Sequence, residues 1–236
     1  MVGHDVALQA AAEQIGRAQD EKALRPSIAG FFDEATNTVS YVVHDPSTCE
    51  AAIIDSVLDY EAAAGRTSYG SADRIVEYVN SHNLKVTWLI ETHAHADHIS
   101  AAPYLQEKLG GKLAIGAEII RVQEVFGKLF NAGTDFERDG SQFDHLFTDG
   151  EKFNLGEIEG IALHVPGHTP ADMAFIIGDA AFVGDTIFMP DFGTARADFP
   201  GGDAREGIGL RGSRDSHRAG ARVLLVVGVE HQDDLE

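Results

Sequence analysis

Three histidines and an aspartate fall within the seven positions THAHADH, residues 92–98. Neutral imidazole and carboxylate both donate lone pairs, so such a cluster is a candidate metal cradle. In an extended segment, side chains two apart point the same way. If the strand KVTWLI runs on through the motif, His93, His95 and Asp97 share one side and His98 opens the next helix. As buried structure without a metal, the four groups would demand many hydrogen-bond partners. H-x-H-x-D-H asks far more of a chain than a lone histidine does, and metal binding is the expectation.

The remaining ligands are expected from other strand ends. HVPGHTP places His168 in a Pro-Gly turn before a strand, and FVGDTIF places Asp185 after an apolar strand and a glycine that allows close approach. Alone, a turn histidine is usually solvated and a strand-end aspartate is usually a turn residue. Beside the cluster, both become candidate ligands. Asp55, ending AAIID, suits a carboxylate that orients a metal-bound histidine, or an ordinary turn acid. His164 reads as structural, and His4, His44, His82 and His145 read as solvated.

Elements that could position these groups follow from periodicity. Residues 6–24 read as a helix with a weak stripe of Leu8, Ile15 and Leu24, ended by Pro26. TVSYVVHD and AAIID, broken by DPST, read as a hairpin. SADRIVEYVNSH reads as a helix with a Ser cap and Ile75, Val76 and Val79 on one face. KVTWLIET reads as a buried strand, HISAAPYLQEKLGG as a helix closing on a Gly pair, KLAIG as a strand and AEIIRVQEVFGKLF as a helix. After a Gly- and Asp-rich loop, FNLGEIEGIALHVPGH, MAFIIGD and AAFVGD are hairpin material. Two β-rich blocks with helices on one side of each predict a layered α/β sandwich, not a parallel Rossmann sheet.

The chain has 236 residues, which suits one sizeable domain, with 44% hydrophobic and 24% charged residues. No apolar run reaches the length of a membrane span, and the N-terminus lacks an apolar signal region. Cytoplasm is therefore the expected location. Cys49 is the single cysteine, so the chain forms no internal disulfide, and its setting in HDPSTCEAA suits a partly buried thiol. A net charge of −20 speaks against nucleic acid and anionic membrane as partners. An anionic substrate would need a local arginine or lysine.

Asp55, the 93–98 cluster, His168 and Asp185, in this order, resemble the metallo-β-lactamase superfamily. The resemblance runs from about residue 28 to residue 203 and implies an αββα sandwich with the metal site at one edge of its two sheets. Residues 1–27 would be an N-terminal helical arm, and 204–236 a divergent tail of the same domain. More locally, DSVLDYEAAAGRTSYGSADRIVEYV and GDTIFMPDFGTARADFPGGDA resemble the bacterial persulfide dioxygenases, also known as β-lactamase-like hydrolases. Ser56 stands where those proteins usually have proline.

The resemblance implies one of two chemistries. In the persulfide dioxygenases, His93, His168 and Asp185 would hold one Fe(II) as a two-His, one-carboxylate face with open positions. Glutathione persulfide and dioxygen would be the substrates, sulfite and glutathione the products, in sulfide detoxification. His95, Asp97 and His98 would then hydrogen-bond around the ligands. In the glyoxalase II arrangement, His93, His95 and His168 would hold one Zn(II). Asp97, His98 and a late histidine would hold a second, with Asp185 bridging, for hydrolysis of a glutathione thioester. A homodimer stays open as an assembly.

The tail bears on this choice. The dioxygenases usually show their late histidine as His-Asp-Tyr, and no such triplet exists here. His231 follows VLLVV and is the candidate late ligand, while His217 sits among arginines. The mononuclear iron site is complete without the tail, which favours the dioxygenase. Residues 203–222 hold five of the 18 basic residues, all arginine, without periodicity. An aberrant tail from a shifted reading frame would give a third reading, a metal-binding but catalytically impaired protein. Arg196 in GTARADF matches the arginine that the dioxygenases turn toward glutathione, where a guanidinium can grip a carboxylate.

Overall fold

Alternation and β-branched runs build the strands, and the helices fill connections between them. The computed structural model describes residues 2–133, 136–188, 197, 202 and 222–224. Arg196, His217 and His231 lie outside the described residues, as does most of the tail after residue 204. Helix α1 (Val2–Asp20) is followed by a 3-10 turn at Lys22–Leu24, then β1 (Ser27–Asp33), β2 (Thr38–His44), β3 (Glu50–Ile54), β4 (Val57–Glu61) and β5 (Arg66–Ser68). Next come α2 (Gly70–Ser81), β6 (Lys85–Ile90), β7 (Ile99–Ser100), α3 (Ala102–Leu109), β8 (Lys112–Gly116) and α4 (Ile119–Leu129). The second half holds β9 (His145–Phe147), β10 (Lys152–Leu155), β11 (Ile158–His164), β12 (Met173–Ile177), β13 (Ala180–Phe182), a 3-10 turn at Gly184–Thr186 and β14 (Arg222–Leu224).

The strands form two main sheets, ordered β1-β2-β3-β6-β8-β9 and β10-β11-β12-β13-β14, and a small sheet β5-β4-β7. Between the two main sheets lies a core of Val39, Tyr41, Val43, Ile54, Ile90, Phe147, Phe153, Phe175 and Phe182 with their neighbours. Each such side chain contributes about 1.5–3 kcal/mol when fully buried. On the outer face of the first sheet, α2 and α3 bury Ile75, Val79, Ala102 and Leu105 against Val42, Ile53 and Leu89. On the outer face of the second, α1 lays Ala7, Ala11 and Ile15 against Ile161, Leu163 and Ile176. This is an αββα sandwich. Central strands such as β2 and β12 are buried nearly throughout because both of their faces are covered.

Several local expectations need correction. The buried face of α1 consists of small residues and Ile15, whereas Leu8 is exposed, because only small side chains let the helix lie close on the sheet. Helix α2 has no serine cap. Asp59, from β4, accepts from the Ser71 backbone N–H instead, at 3.1 Å. Strand β6 stops at Ile90, and His98 opens no helix: β7 intervenes before α3. His145 and His4 are half-buried and pair with Glu151 and Asp149, so neither is simply solvated.

Candidate metal centre

Topology brings the chemistry to one edge. Strands β3, β6 and β8 are mutually parallel, so Asp55 and the 91–98 loop follow strand ends that point the same way. In the second sheet β11 and β13 each pair antiparallel with β12, so they share a direction too. The turn carrying His168 follows β11, and the turn carrying Asp185 follows β13. Ligands gather at the carboxyl ends of parallel strands in α/β layers for the same geometric reason.

With β6 ended at Ile90, the motif is a loop and not an alternating strand, and its side chains divide. His93, His168 and Asp185 each offer a ligand atom, and these atoms lie within 4.8 Å of one another. His168 Nε2 is 3.6 Å and His93 Nε2 4.0 Å from Asp185 Oδ2. His95, Asp97 and His98 form a second group, and Asp55, Glu91 and His95 a third. His95 and Asp97 thus keep the expected common side, and the His93 and His95 rings lie 4.1 Å apart, but no one group of ligand atoms among the described residues holds all three.

Hydrogen bonds fix the orientation of the first histidine. Thr92 donates its hydroxyl to Asp55 Oδ2 at 2.9 Å, so its oxygen accepts from His93 Nδ1–H, also at 2.9 Å. The proton of His93 thus sits on Nδ1 and the lone pair on Nε2, since the bond made by one ring nitrogen sets the state of the other. Burial, then the neighbouring imidazoles His95, His168 and His98, hold His93 well below the ordinary histidine range, hence neutral. Its Nε2 is buried without a hydrogen-bond partner, as are His98 Nε2 and Thr186 Oγ1 at the same edge. A neutral, aimed and unpartnered nitrogen facing a histidine and a carboxylate fits a divalent metal ion.

His95 is used differently. Its Nε2 lies 3.1 Å from both Asp55 Oδ1 and Glu91 Oε2. Burial opposes its charge, but the charge and hydrogen bond of Asp55, followed by those of Glu91, raise it well above the ordinary range. Asp97 accepts from Thr38 Oγ1 and lies beside His98 Nδ1, both at 3.3 Å. Burial pushes Asp97 up, yet His98, His95 and a backbone N–H together outweigh it and hold the carboxyl down at about 2. Burial raises Asp185 to about 6, with Asp97 and Asp55 adding to the rise and His168 and His95 opposing it.

The sequence pattern points to only part of the supporting turns. Gly184 has φ +49°, and a Cβ there would collide with Thr92 Oγ1, so glycine is what lets the Asp185 turn touch the His93 loop. The His168 turn is knotted by Asp172, which accepts from the Thr169 N–H at 2.8 Å and from the Thr169 hydroxyl. His164 pairs through Nε2 with the Pro170 carbonyl at 2.9 Å, in keeping with a structural role. Thr92, Glu91, Thr169 and Asp172 escape the sequence reading. The available signals are Thr-x-x-Asp after His168, and a carboxylate four residues ahead of His95.

The family model described as the metallo-beta-lactamase superfamily matches residues 34–226. The chain belongs to the metallo-beta-lactamase superfamily. The match to the superfamily continues past residue 203, and β14 pairs parallel with β13 within that stretch. A probable metallo-hydrolase of Burkholderia pseudomallei is 54% identical, over 76% of this chain and 64% of the relative. Glyoxylase B2 of Dictyostelium discoideum is 46% identical, over 76% and 62%. The human mitochondrial persulfide dioxygenase ETHE1 is 28% identical, over 74% and 57%. The chain spans less than two thirds of the length of each of these relatives. Among solved structures, the ETHE1 crystal structure from Myxococcus xanthus superposes with a TM-score of 0.65 at 23% identity, covering 89% of this chain and 78% of that one. No helix among the described residues is long and apolar enough to cross a membrane.

Proposed function

We propose that this chain is an iron(II)-dependent persulfide dioxygenase that converts glutathione persulfide, dioxygen and water into glutathione and sulfite. The observation that carries this reading is the different engagement of neighbouring histidines, whose rings lie 4.1 Å apart at His93 and His95. His93, His168 and Asp185 converge as a two-His, one-carboxylate face, while His95 turns its Nε2 to Asp55 and Glu91. That ligand set leaves open positions for substrates on non-haem iron. The similarity to the human persulfide dioxygenase supports the same reading.

The reaction balances as a four-electron oxidation of the terminal sulfur. Dioxygen is the acceptor, one water supplies the third oxygen of sulfite, and glutathione leaves as the thiol with two protons released. When bound, the iron would bring the persulfide and dioxygen together and make their otherwise sluggish reaction possible. His93, through Nε2, His168 and Asp185 would hold it. Asp55 and Thr92 keep the proton of His93 on Nδ1, and Glu91 with Asp55 fixes the His95 ring beside it. Asp97 holds a negative charge next to His98 at the rim. Arg196 would grip a glutathione carboxylate, which an acidic protein cannot attract through its overall field. Ala197, its chain neighbour, lies against Gly202, and Gly202 in turn abuts the His168 carbonyl.

A second reading, a dinuclear zinc glutathione thioester hydrolase, is favoured by specific observations. His95, Asp97 and His98 form a cluster with an unpartnered His98 Nε2, and glyoxylase B2 is the nearer relative by identity. One experiment separates the two. Anaerobically purified protein is assayed for metal, for oxygen uptake and sulfite with glutathione persulfide, and for hydrolysis of S-lactoylglutathione. Iron with oxygen uptake is the expected result. Zinc with thioester cleavage would replace the dioxygenase by the hydrolase, and metal with neither activity would leave an impaired metal-binding protein.

A further inference from the structure

We infer that Thr92 is the positioning residue that sets all three proposed metal ligands relative to one another. Its hydroxyl directs His93, as a relay between Asp55 and His93, while its carbonyl and its packing reach the segments beside His168 and Asp185. This inference rests on His93, His168 and Asp185 being the ligands. Thr92 is 1% exposed and meets His93, Met173 just beyond the His168 turn, and Gly184 next to Asp185. Its hydroxyl donates to Asp55 and accepts from His93 Nδ1, as its backbone N–H also donates to Asp55 Oδ1 at 2.7 Å. Its carbonyl accepts from the Met173 N–H at 2.9 Å, pinning the start of β12 just beyond the Thr169–Asp172 knot of the His168 turn. Gly184, next to Asp185, approaches so closely that a Cβ would run into Thr92 Oγ1 and lie 2.9 Å from Thr92 Cβ.

The hydroxyl has one proton, and that proton is committed to a buried carboxylate. Its lone pairs then face His93, which must present Nδ1–H and keep Nε2 free. A side chain of the same shape without the oxygen would keep the packing against Gly184 and lose this direction. Asp55 Oδ2 would lose a donor and His93 Nδ1–H its acceptor, leaving the ring free to rotate or change tautomer.

The test uses cobalt(II) as the probe, with affinity read by competition against a chelating dye and geometry read from the ligand-field absorption bands. Thr92→Val should weaken cobalt binding about 10- to 100-fold and shift the bands. Thr92→Ser, which keeps the hydroxyl, should restore most of the affinity and the bands. Wild-type affinity and spectrum in Thr92→Val would overturn the inference. So would a Thr92→Ser protein as weak as Thr92→Val, since that would assign the effect to the methyl group. His93→Ala separates this from the ligand assignment: full cobalt affinity there removes His93 as a ligand, whereas loss there with none in Thr92→Val removes only the relay. Circular dichroism of the metal-free proteins monitors folding. Should Thr92→Val not fold, Thr92→Ala is compared with Thr92→Ser, and equal affinities would overturn the inference.

Discussion

Strand β3 carries a fully buried aspartate at each end, and the two behave differently. Asp45, in the turn before the strand, and Asp55, directly after it, are both 0% exposed. Asp45 accepts from the Ser47 N–H and hydroxyl, the Thr48 hydroxyl and the Glu157 N–H, at 2.8–3.0 Å. All its donors are neutral groups that tie one turn to another. Asp55 accepts from Thr92 twice and pairs with His95, so its partners belong to the metal edge. Even the glycines correspond: Gly156 presses on Thr48 and Asp45 as Gly184 presses on Thr92. Burial and hydrogen bonding alone do not mark a functional carboxylate. The mark is that the network around Asp55 ends on an aimed nitrogen without a hydrogen-bond partner, His93 Nε2.

The largest effect should come from removing a ligand. His168→Ala is expected to abolish iron binding, measured as metal per chain after anaerobic reconstitution, while the metal-free fold persists because His168 is not a core residue. Full iron retention would break the ligand assignment and with it the contrast between the two ends. Asp55→Asn should follow. The amide tolerates the left-handed backbone at residue 55 (φ +50°) but cannot accept at both ends. Metal affinity should fall about 10- to 100-fold. Asp45→Asn should leave metal affinity unchanged, and an equal loss there would erase the comparison.

The glycines sharpen the same contrast. Gly156→Ala and Gly184→Ala both force a Cβ into a threonine hydroxyl at a positive φ, and each should cost about 1–3 kcal/mol by thermal or denaturant unfolding. Only Gly184→Ala should also weaken metal binding. A pair of variants equal in stability loss and equal in metal affinity would show that the Gly184 contact has no bearing on the site.

Much of the layer architecture was legible because it depends on periodicity. The β2–β3 hairpin, the buried β6 and the paired β-blocks all follow from runs such as TVSYVVHD, AAIID and KVTWLI. The metal edge was legible as a set of residue types, since H-x-H-x-D-H, His168 and Asp185 have few other uses together. What alternation could not supply is the turn after Ile90, where the strand rule would put His93 and His95 to the same use. Hydrogen bonding at Asp55 and Glu91 sends them to different ones, and no spacing rule encodes which ring nitrogen is engaged. Thr92 and Asp172 were hidden for a related reason: a buried threonine or aspartate looks like a turn residue until its partners are known.

The smallest expected effect concerns pH at the Asp45 end. Burial raises the Asp45 carboxyl, but its hydrogen bonds from Glu157, Ser47 and Thr48 outweigh that and hold it below the ordinary aspartate value. A folded-state value below the unfolded one means that the unfolded chain binds the proton first. Stability from Asp45 is therefore fully present above the unfolded aspartate value, near ~3.9, and is lost as pH falls through the folded value. Asp45→Asn should lower stability by about 1–2 kcal/mol at neutral pH. The gap to the wild type should narrow as pH falls below about 4, in urea unfolding of the metal-free protein. A gap that stayed constant down to about pH 2 would show that the cost arises from lost packing in the Asp45 turn and not from its ionised carboxylate.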